Sequence, residues 1–462
     1  MLADIDAACA AFAEEHELPG LVAGLVEGGR LLHVTALGLA DREAARPVGR
    51  DTAFRIASMT KNMTALAILS LRDAGKLALD TPLAGYVPQF AAVKPATADS
   101  KPVTVRDLMC HVAGFVTDDP WGDRVLGMTP AELDAVIAGG ALFARPPGLA
   151  FEYSNLGYAL LGRALTNVSG EPYQHYMRRT FLGPLGMSRT TFDAPAAARG
   201  DYAFGYRLDG TAWSRERIEP DGEVGAMGGL VTTAPDYARW VAFLLSAWPA
   251  RDDPESGPVR RASVRELALY HAPPYRPEKG EPLPSAYGYG LVSSADAELG
   301  RRVHHAGGLP GYGSHVLMLP ERGRGVFAFG NRTYAPMSKL TPRLAGIWHR
   351  AAPKPAPAAP SPALRRAIDA VIAAYASGRI EDVADACAVN LLLDMPAGLR
   401  NAELAALRQR LGRVTTVAAI DPEHALAGEL VLACEHGRLK VELVLSPEVQ
   451  PGIQKLVLTL EQ

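Results

Sequence analysis

Between Ser58 and Gly75 the chain offers almost no polar face. The spacing predicts a helix over 58–74, and Met63, Leu66, Ile68, Leu69 and Leu71 are spread nearly all round it before Gly75 closes it. Such a helix is stable only when other elements cover every side, so it belongs in the core of a large domain. The length allows this: 462 residues suggest two or three domains at about 150 residues each. A chain of that size buries a sizeable core without disulfides or metals. Around the helix, Ile5, Cys9 and Phe12 mark an amphipathic helix over 4–17. Two apolar runs, 21–26 and 31–37, flank Gly28-Gly29 and read as a hairpin. Runs at 302–305, 314–319 and 325–330, parted by turns such as Pro320-Glu321-Arg322-Gly323, read as antiparallel strands, and a helix is predicted over 337–349. The middle, about 76–285, is rich in Pro and Gly, with a helix over 231–245 announced by Thr232-Thr233-Ala234-Pro235-Asp236.

The sharpest boundary is 351–363, where Pro353, Pro355, Pro357, Pro360 and Pro362 lie mostly among alanines. This composition favours an extended, semi-rigid spacer. It divides the chain into a large domain (1–350), a linker (351–363) and a small α+β domain (364–462). In the last, helices are predicted over 364–375 and 402–411, and strands over 414–420, 429–434, 438–445 and 455–460, with a hairpin turn at His436-Gly437. His424 and His436 read as surface or turn residues. The net charge of −3 argues against a protein that binds nucleic acid by neutralising phosphates. No apolar run reaches 18 residues, so no membrane span is predicted. Asp4, Asp6, Glu14 and Glu15 stand where a signal peptide would be basic and then apolar, which reads as cytoplasmic. The four cysteines, Cys9, Cys110, Cys387 and Cys434, are far apart and form no C-x-x-C, so they read as buried thiols. No metal or cofactor is expected, and no pattern sets an oligomeric state.

Three short patterns carry chemistry: Ser58-Met59-Thr60-Lys61 at the head of the buried helix, Tyr153-Ser154-Asn155, and His305-Ala306-Gly307 on a predicted strand. Lysine is scarce, nine against 38 Arg, so each lysine invites the question of why arginine would not serve. Serine at its free pKa is a poor nucleophile and needs a base. Positions i and i+3 share a helix face, so Ser58 and Lys61 can touch. Burial and the positive end of the helix dipole both lower the lysine pKa, whereas arginine does not deprotonate in proteins. Tyr153 suits a second proton carrier. Asn155 can hold Lys61 and donate to a substrate carbonyl, and backbone N–H groups of Ser58 and of the strand after His305 can bind an oxyanion. Each pattern also has a plain structural reading: Ser58 as a helix N-cap, Tyr153 and Asn155 as a turn with a packed aromatic, His305 as a satisfied strand histidine.

Residues 4–350 resemble the serine β-lactamase-related and penicillin-binding-like hydrolases, in the branch of class C β-lactamases, esterases and D-aminopeptidases. The resemblance is carried by Phe54–Lys61, Thr104–Gly114, Pro147-Gly148 with Phe151–Tyr158, Pro184–Met187, Gly228–Thr233 and His305–Tyr312. It implies an α/β (α+β) fold in which an antiparallel sheet is flanked by helices, with a helical subdomain inserted. It further implies an acyl-enzyme on Ser58, proton transfer by Lys61 and Tyr153, and oxyanion donors at Ser58 and Gly308, beside Gly307. The third motif departs from the family's K-T-G: His305 replaces the lysine that helps hold a substrate carboxylate. At an ordinary pKa of about 6.5, His305 would be charged in about a quarter of molecules at pH 7. That weakens the case for a β-lactamase and favours a small ester or amide substrate. A non-catalytic penicillin-recognising or ligand-sensing protein is the rival reading. Substrate selectivity is expected in loops 115–125 and 270–290. No G-x-S-x-G occurs, which excludes the α/β-hydrolase elbow. The last 99 residues resemble small cystatin-like or nuclear-transport-factor-like modules.

Overall fold

The computed structural model describes residues 1–269, 271–272, 285–351 and 359–461. It divides into two compact units, Met1–Ala352 and Pro353–Gln462. The first is built on an eight-stranded antiparallel sheet. Its strands are β1 (Gly20–Glu27), β2 (Arg30–Asp41), β3 (Arg46–Pro47), β4 (Ser285–Tyr287), β5 (Val292–Asp296), β6 (Gly300–Leu309), β7 (Tyr312–Leu319) and β8 (Arg324–Gly330). They lie in the order β3-β2-β1-β8-β7-β6-β5-β4. β7 is buried along its whole length, because both faces of the sheet are covered.

The two-residue period of the strands sorts their side chains between two cores. Leu21, Ala23, Leu25, Leu317 and Ala328 pack against helices α1 (Leu2–Glu15) and α5 (Met337–Ala351) through Ile5, Cys9, Phe12, Leu344 and Trp348. Val22, Val26, Val303, Val316, Phe327 and Phe329 face the larger core. That core holds α2 (Lys61–Asp73), α3 (Asn155–Ser169) and α4 (Ala234–Leu245). Gly24 is required where β1 crosses this face, since a Cβ there would lie 2.2 Å from the Phe327 ring.

Every residue of α2 from Lys61 to Leu69 is buried, as its all-round apolar surface demands. Its beginning differs from expectation: residues 57–60 form a separate 3-10 turn before the α-helix starts at Lys61. The predicted helix over 231–245 also starts later. Val231-Thr232 pairs with Phe54-Arg55 as a short strand, and extended Thr233 caps α4 by accepting from the Asp236 N–H.

The second unit contains α6 (Pro362–Ser377), α7 (Ala397–Leu411) and a four-stranded antiparallel meander. Its strands are β9 (Val414–His424), β10 (Ala427–Cys434), β11 (Gly437–Leu445) and β12 (Ile453–Glu461). Leu364, Ile368, Val371 and Tyr375 of α6 pack on Leu432, Leu439, Val441 and Leu443. Ser361 caps α6 by accepting from the Leu364 N–H, so the helix starts inside the stretch expected to be linker. Residues 352–358 of that linker lie outside the described residues. Cys9 and Cys110 are buried thiols, but Cys387 and Cys434 are only half-buried, because they sit on the rim of the small core.

Leu66 is fully buried at the centre of α2. Leu66→Ala is therefore expected to cost about 2–5 kcal/mol in urea unfolding. A loss below about 1 kcal/mol would show that α2 is not the keystone of this core.

Candidate active site

The 3-10 turn before α2 is held on three sides. Ile56 N donates to Leu230 O at 3.0 Å, Ser314 Oγ donates to Ile56 O at 2.7 Å, and Thr60 Oγ1 donates to Ala57 O at 2.8 Å. These contacts hold fully buried Ala57 at φ +49°, a conformation that costs energy for a residue with a Cβ and persists only when its surroundings impose it. The next residue is Ser58. It is not a helix cap, since the N-cap position is Ile56. Its Oγ instead accepts from Lys61 Nζ at 3.0 Å.

Lys61 is fully buried. Its Nζ also donates to Asn155 Oδ1 at 2.7 Å and to Met227 O at 2.9 Å, so three acceptors match the three protons of an ammonium. Burial pulls its pKa down to about 8, against the opposing fields of Asp119, Asp123 and Asp118. An appreciable fraction is thus neutral near physiological pH and can accept a proton from Ser58.

Asn155 is the first residue of α3. Its amide bridges two charged groups, with Oδ1 on Lys61 and Nδ2 donating to Asp119 Oδ1 at 2.8 Å. The Asp118 carboxylate takes the Asn155 and Leu156 N–H groups at 2.6 and 2.8 Å, closing the positive end of the helix. Tyr153 is half-buried, and its ring centroid lies 4.8 Å from Lys61 Nζ. Burial holds its phenol protonated, well above the usual tyrosine pKa, although a hydrogen bond with Ser58 pulls the other way. His111 clamps this segment. Its carbonyl accepts from Glu152 N at 2.8 Å, its Nδ1 from Ser154 N at 3.1 Å, and its ring packs 4.2 Å from that of Tyr153.

His305 departs from expectation. It lies on β6 with Tyr287 OH 2.9 Å from its Nε2 and Ala306 O 2.5 Å from its Nδ1. Since a carbonyl only accepts, Nδ1 carries the proton and Nε2 accepts from the phenol. Burial, reinforced by the Lys61 charge, pushes its pKa down to about 3. His305 is therefore neutral at pH 7, not charged in a quarter of molecules. Gly307 is required by close approach: a Cβ would fall 2.4 Å from Ile56 O and 2.3 Å from Ser314 Oγ. Beside Gly308 a Cβ would meet the Tyr334 ring at 2.8 Å. The last β5 partner of β6 is Val292, opposite His304, so residues 305–309 run on beyond β5.

Ser58, Tyr153, His305, Gly307 and Gly308 line one cavity of about 990 Å³; Asp119, Asp123, Tyr287 and Tyr334 line it too. Asn155 and Lys61 lie beneath it. Sequence reasoning did not single out His111, Tyr287, Tyr334 or the three aspartates. His111 stood inside a matched segment, while the aspartates stood in a loop, 115–125, that was named without its residues. Much of the other loop, 270–290, lies outside the described residues. Among the described residues no three His, Cys, Asp or Glu side chains are grouped to hold a metal. No described helix is long and apolar enough to cross a membrane.

The first unit thus has a β-lactamase/transpeptidase-like fold with a buried lysine on a serine hydroxyl. A family model described as Beta-lactamase matches residues 5–347, and the chain belongs to that family. It is 27% identical over 337 residues to "Protein flp" of Staphylococcus aureus, a match that takes in 71% of this chain and 64% of that protein. The chain thus spans under two thirds of the length of this curated relative. Among solved structures it is similar to the octameric penicillin-binding protein homologue from Pyrococcus abyssi, with TM-score 0.64 and 21% identity over 100% of this chain and 98% of that one. It is also similar to the Beta-Lactamase/D-Alanine Carboxypeptidase from Pseudomonas syringae, with TM-score 0.60 and 20% identity over 76% and 98%. At these identities the structural likeness is one of fold.

The neutral state of His305 is directly measurable. In ring-labelled histidine NMR its imidazole is expected to show no titration from about pH 8 down to about pH 5, as burial without a counter-ion requires. A midpoint near 6.5 would mean that water reaches it.

Proposed function

We propose that this chain hydrolyses a small ester or amide through an acyl-enzyme on Ser58, in the manner of an esterase or D-amino-peptidase. The observation that carries this reading is the 3.0 Å contact between Ser58 Oγ and the buried Lys61 amine. Neutral Lys61 takes the hydroxyl proton as Ser58 Oγ attacks the carbonyl carbon. The oxyanion is met by the N–H groups of Ser58 and Gly308. Tyr153, a protonated phenol beside this pair, gives its proton to the leaving group as the bond breaks, and regains one from Lys61. Water then attacks the acyl-enzyme, losing a proton to neutral Lys61, and that proton passes to Ser58 Oγ as the acyl–oxygen bond breaks and the acid leaves. Asn155 holds Lys61 in place.

Neutral His305 supports the choice of substrate. The position at which the family's lysine faces a substrate carboxylate bears no charge here, which disfavours an anionic β-lactam. The complete set of Ser58, Lys61 and Tyr153 speaks against a binder that has lost turnover.

A fluorophosphonate probe is expected to add its mass to the peptide bearing Ser58. Lys61→Arg is expected to lower turnover of p-nitrophenyl butyrate about as much as Lys61→Ala, by roughly 10²–10⁴-fold, because the needed property is loss of a proton rather than positive charge. An adduct on another serine, or near-normal turnover in Lys61→Arg, would overturn the mechanism.

A further inference from the structure

The cations and anions around the cavity are unevenly matched. Arg145 is tied to Glu152 at 2.7 Å and Arg302 to Asp296 at 3.4 Å, and His305 is neutral. Lys339 of α5 is exposed, lines the cavity and forms no ion pair among the described residues. That helix covers the other face of the sheet, where His315 of β7 meets Thr341. The carboxylates nearest the catalytic group have no such partners. Asp123 is only 3% exposed yet lines the cavity. Its Oδ2 accepts from Tyr334 OH at 2.9 Å, and its Oδ1 accepts from no group among the described residues. Asp119 lines the same cavity, and its Oδ1 takes the Asn155 amide. Among the described residues neither forms an ion pair, and the positive charge whose pKa both raise is that of Lys61.

Burial raises the Asp123 carboxyl to about 7, so near neutral pH it is only partly ionised, and a cation brought beside it would favour the charged form. Lys61 cannot serve as that permanent cation, because it must be neutral to activate Ser58. Resting on the acyl-enzyme reading above, we propose that Asp119 and Asp123 select substrates whose acyl group carries an ammonium ion. Such a group would pair with the two carboxylates while the carbonyl sits over Ser58. A substrate carboxylate in the same place would meet the carboxyl groups of Asp119 and Asp123 and no cation at residue 305. The cation would also offset the field that keeps the proton on Lys61, so the selected substrate would help to ready the base.

The test uses two esters of equal shape and unequal charge, p-nitrophenyl 4-(trimethylammonio)butyrate and p-nitrophenyl 5,5-dimethylhexanoate, in which carbon replaces the quaternary nitrogen. The kcat/KM ratio of charged to neutral ester, corrected for their rates with hydroxide, is expected to be about tenfold or more. It should shrink as salt is raised to about 0.5 M. Asp123→Asn keeps the shape and an acceptor for Tyr334, and should bring the ratio close to one, whereas Asp123→Glu should retain most of it. Asp119→Asn, at an exposed position, keeps an oxygen acceptor for the Asn155 amide and should also lower the ratio. A ratio of one or less in the unaltered protein, or one that neither asparagine variant changes, overturns the inference. If the neutral ester is still hydrolysed in that case, and Ser58→Ala abolishes the hydrolysis, the Ser58 reading stands alone. Failure to hydrolyse either ester, with no probe adduct on Ser58, overturns both.

Discussion

The site depends on keeping an amine dry. Lys61 lies wholly inside the protein, and three oxygen acceptors take the place of its water. None of them carries a full charge. Burial penalises the ammonium, while carboxylates beyond the first contacts favour it; burial wins, and the pKa comes down to about 8. Much of the surrounding structure serves this balance. The all-round apolar face of α2 excludes water from the helix. Gly290, at φ +70°, lets the chain pass so close that a Cβ would lie 2.7 Å from the Lys61 backbone. Met227 supplies a carbonyl, and α3 begins at Asn155 so that its amide reaches both Lys61 and Asp119. Here the scarcity of lysine in an arginine-preferring chain has its physical reason.

The features legible in the sequence were those written in local periodicity. The apolar surface of α2, the hairpin around Gly28-Gly29 and the alternation of 302–305 each follow from neighbours a few residues apart, and the serine-to-lysine spacing is itself a helix repeat. The strained turn at Ala57 was not legible, because it is imposed by Leu230 and Ser314, more than 170 residues away. The protonation state of His305 was hidden for the same reason. Its type and position on a strand could be read, but its charge is decided by burial beside Tyr287 and Lys61. The clamp of His111 on the segment of Tyr153 joins residues about 40 apart. Asp118, Asp119 and Asp123 look like an ordinary polar loop until the fold folds them over the head of α3.

These long-range effects bear on specificity more than on the chemical step. The nucleophile and its base sit on one helix turn, where sequence spacing nearly determines their contact. The charge of the cavity is distributed over β6, α5 and the 115–125 loop, and depends on which groups find partners. A family match over residues 5–347 speaks to the first of these and leaves the second to the side chains that differ.

The most direct measurement is the pH dependence of kcat/KM for p-nitrophenyl butyrate between about pH 6 and pH 9. This ester carries no titrating group. Asp118, Asp119, Asp123, His111, His305, Tyr153 and Tyr158 surround Lys61, and of these Asp123, raised by burial to about 7, titrates inside this range, below the lysine. Since only the neutral amine can take the Ser58 proton, kcat/KM is expected to rise with pH through a midpoint at about 8. In Lys61→Ala the rise should vanish, apart from the hydroxide background. A flat profile, a fall over this range, or a midpoint that survives in Lys61→Ala would contradict the role of the buried lysine as the base.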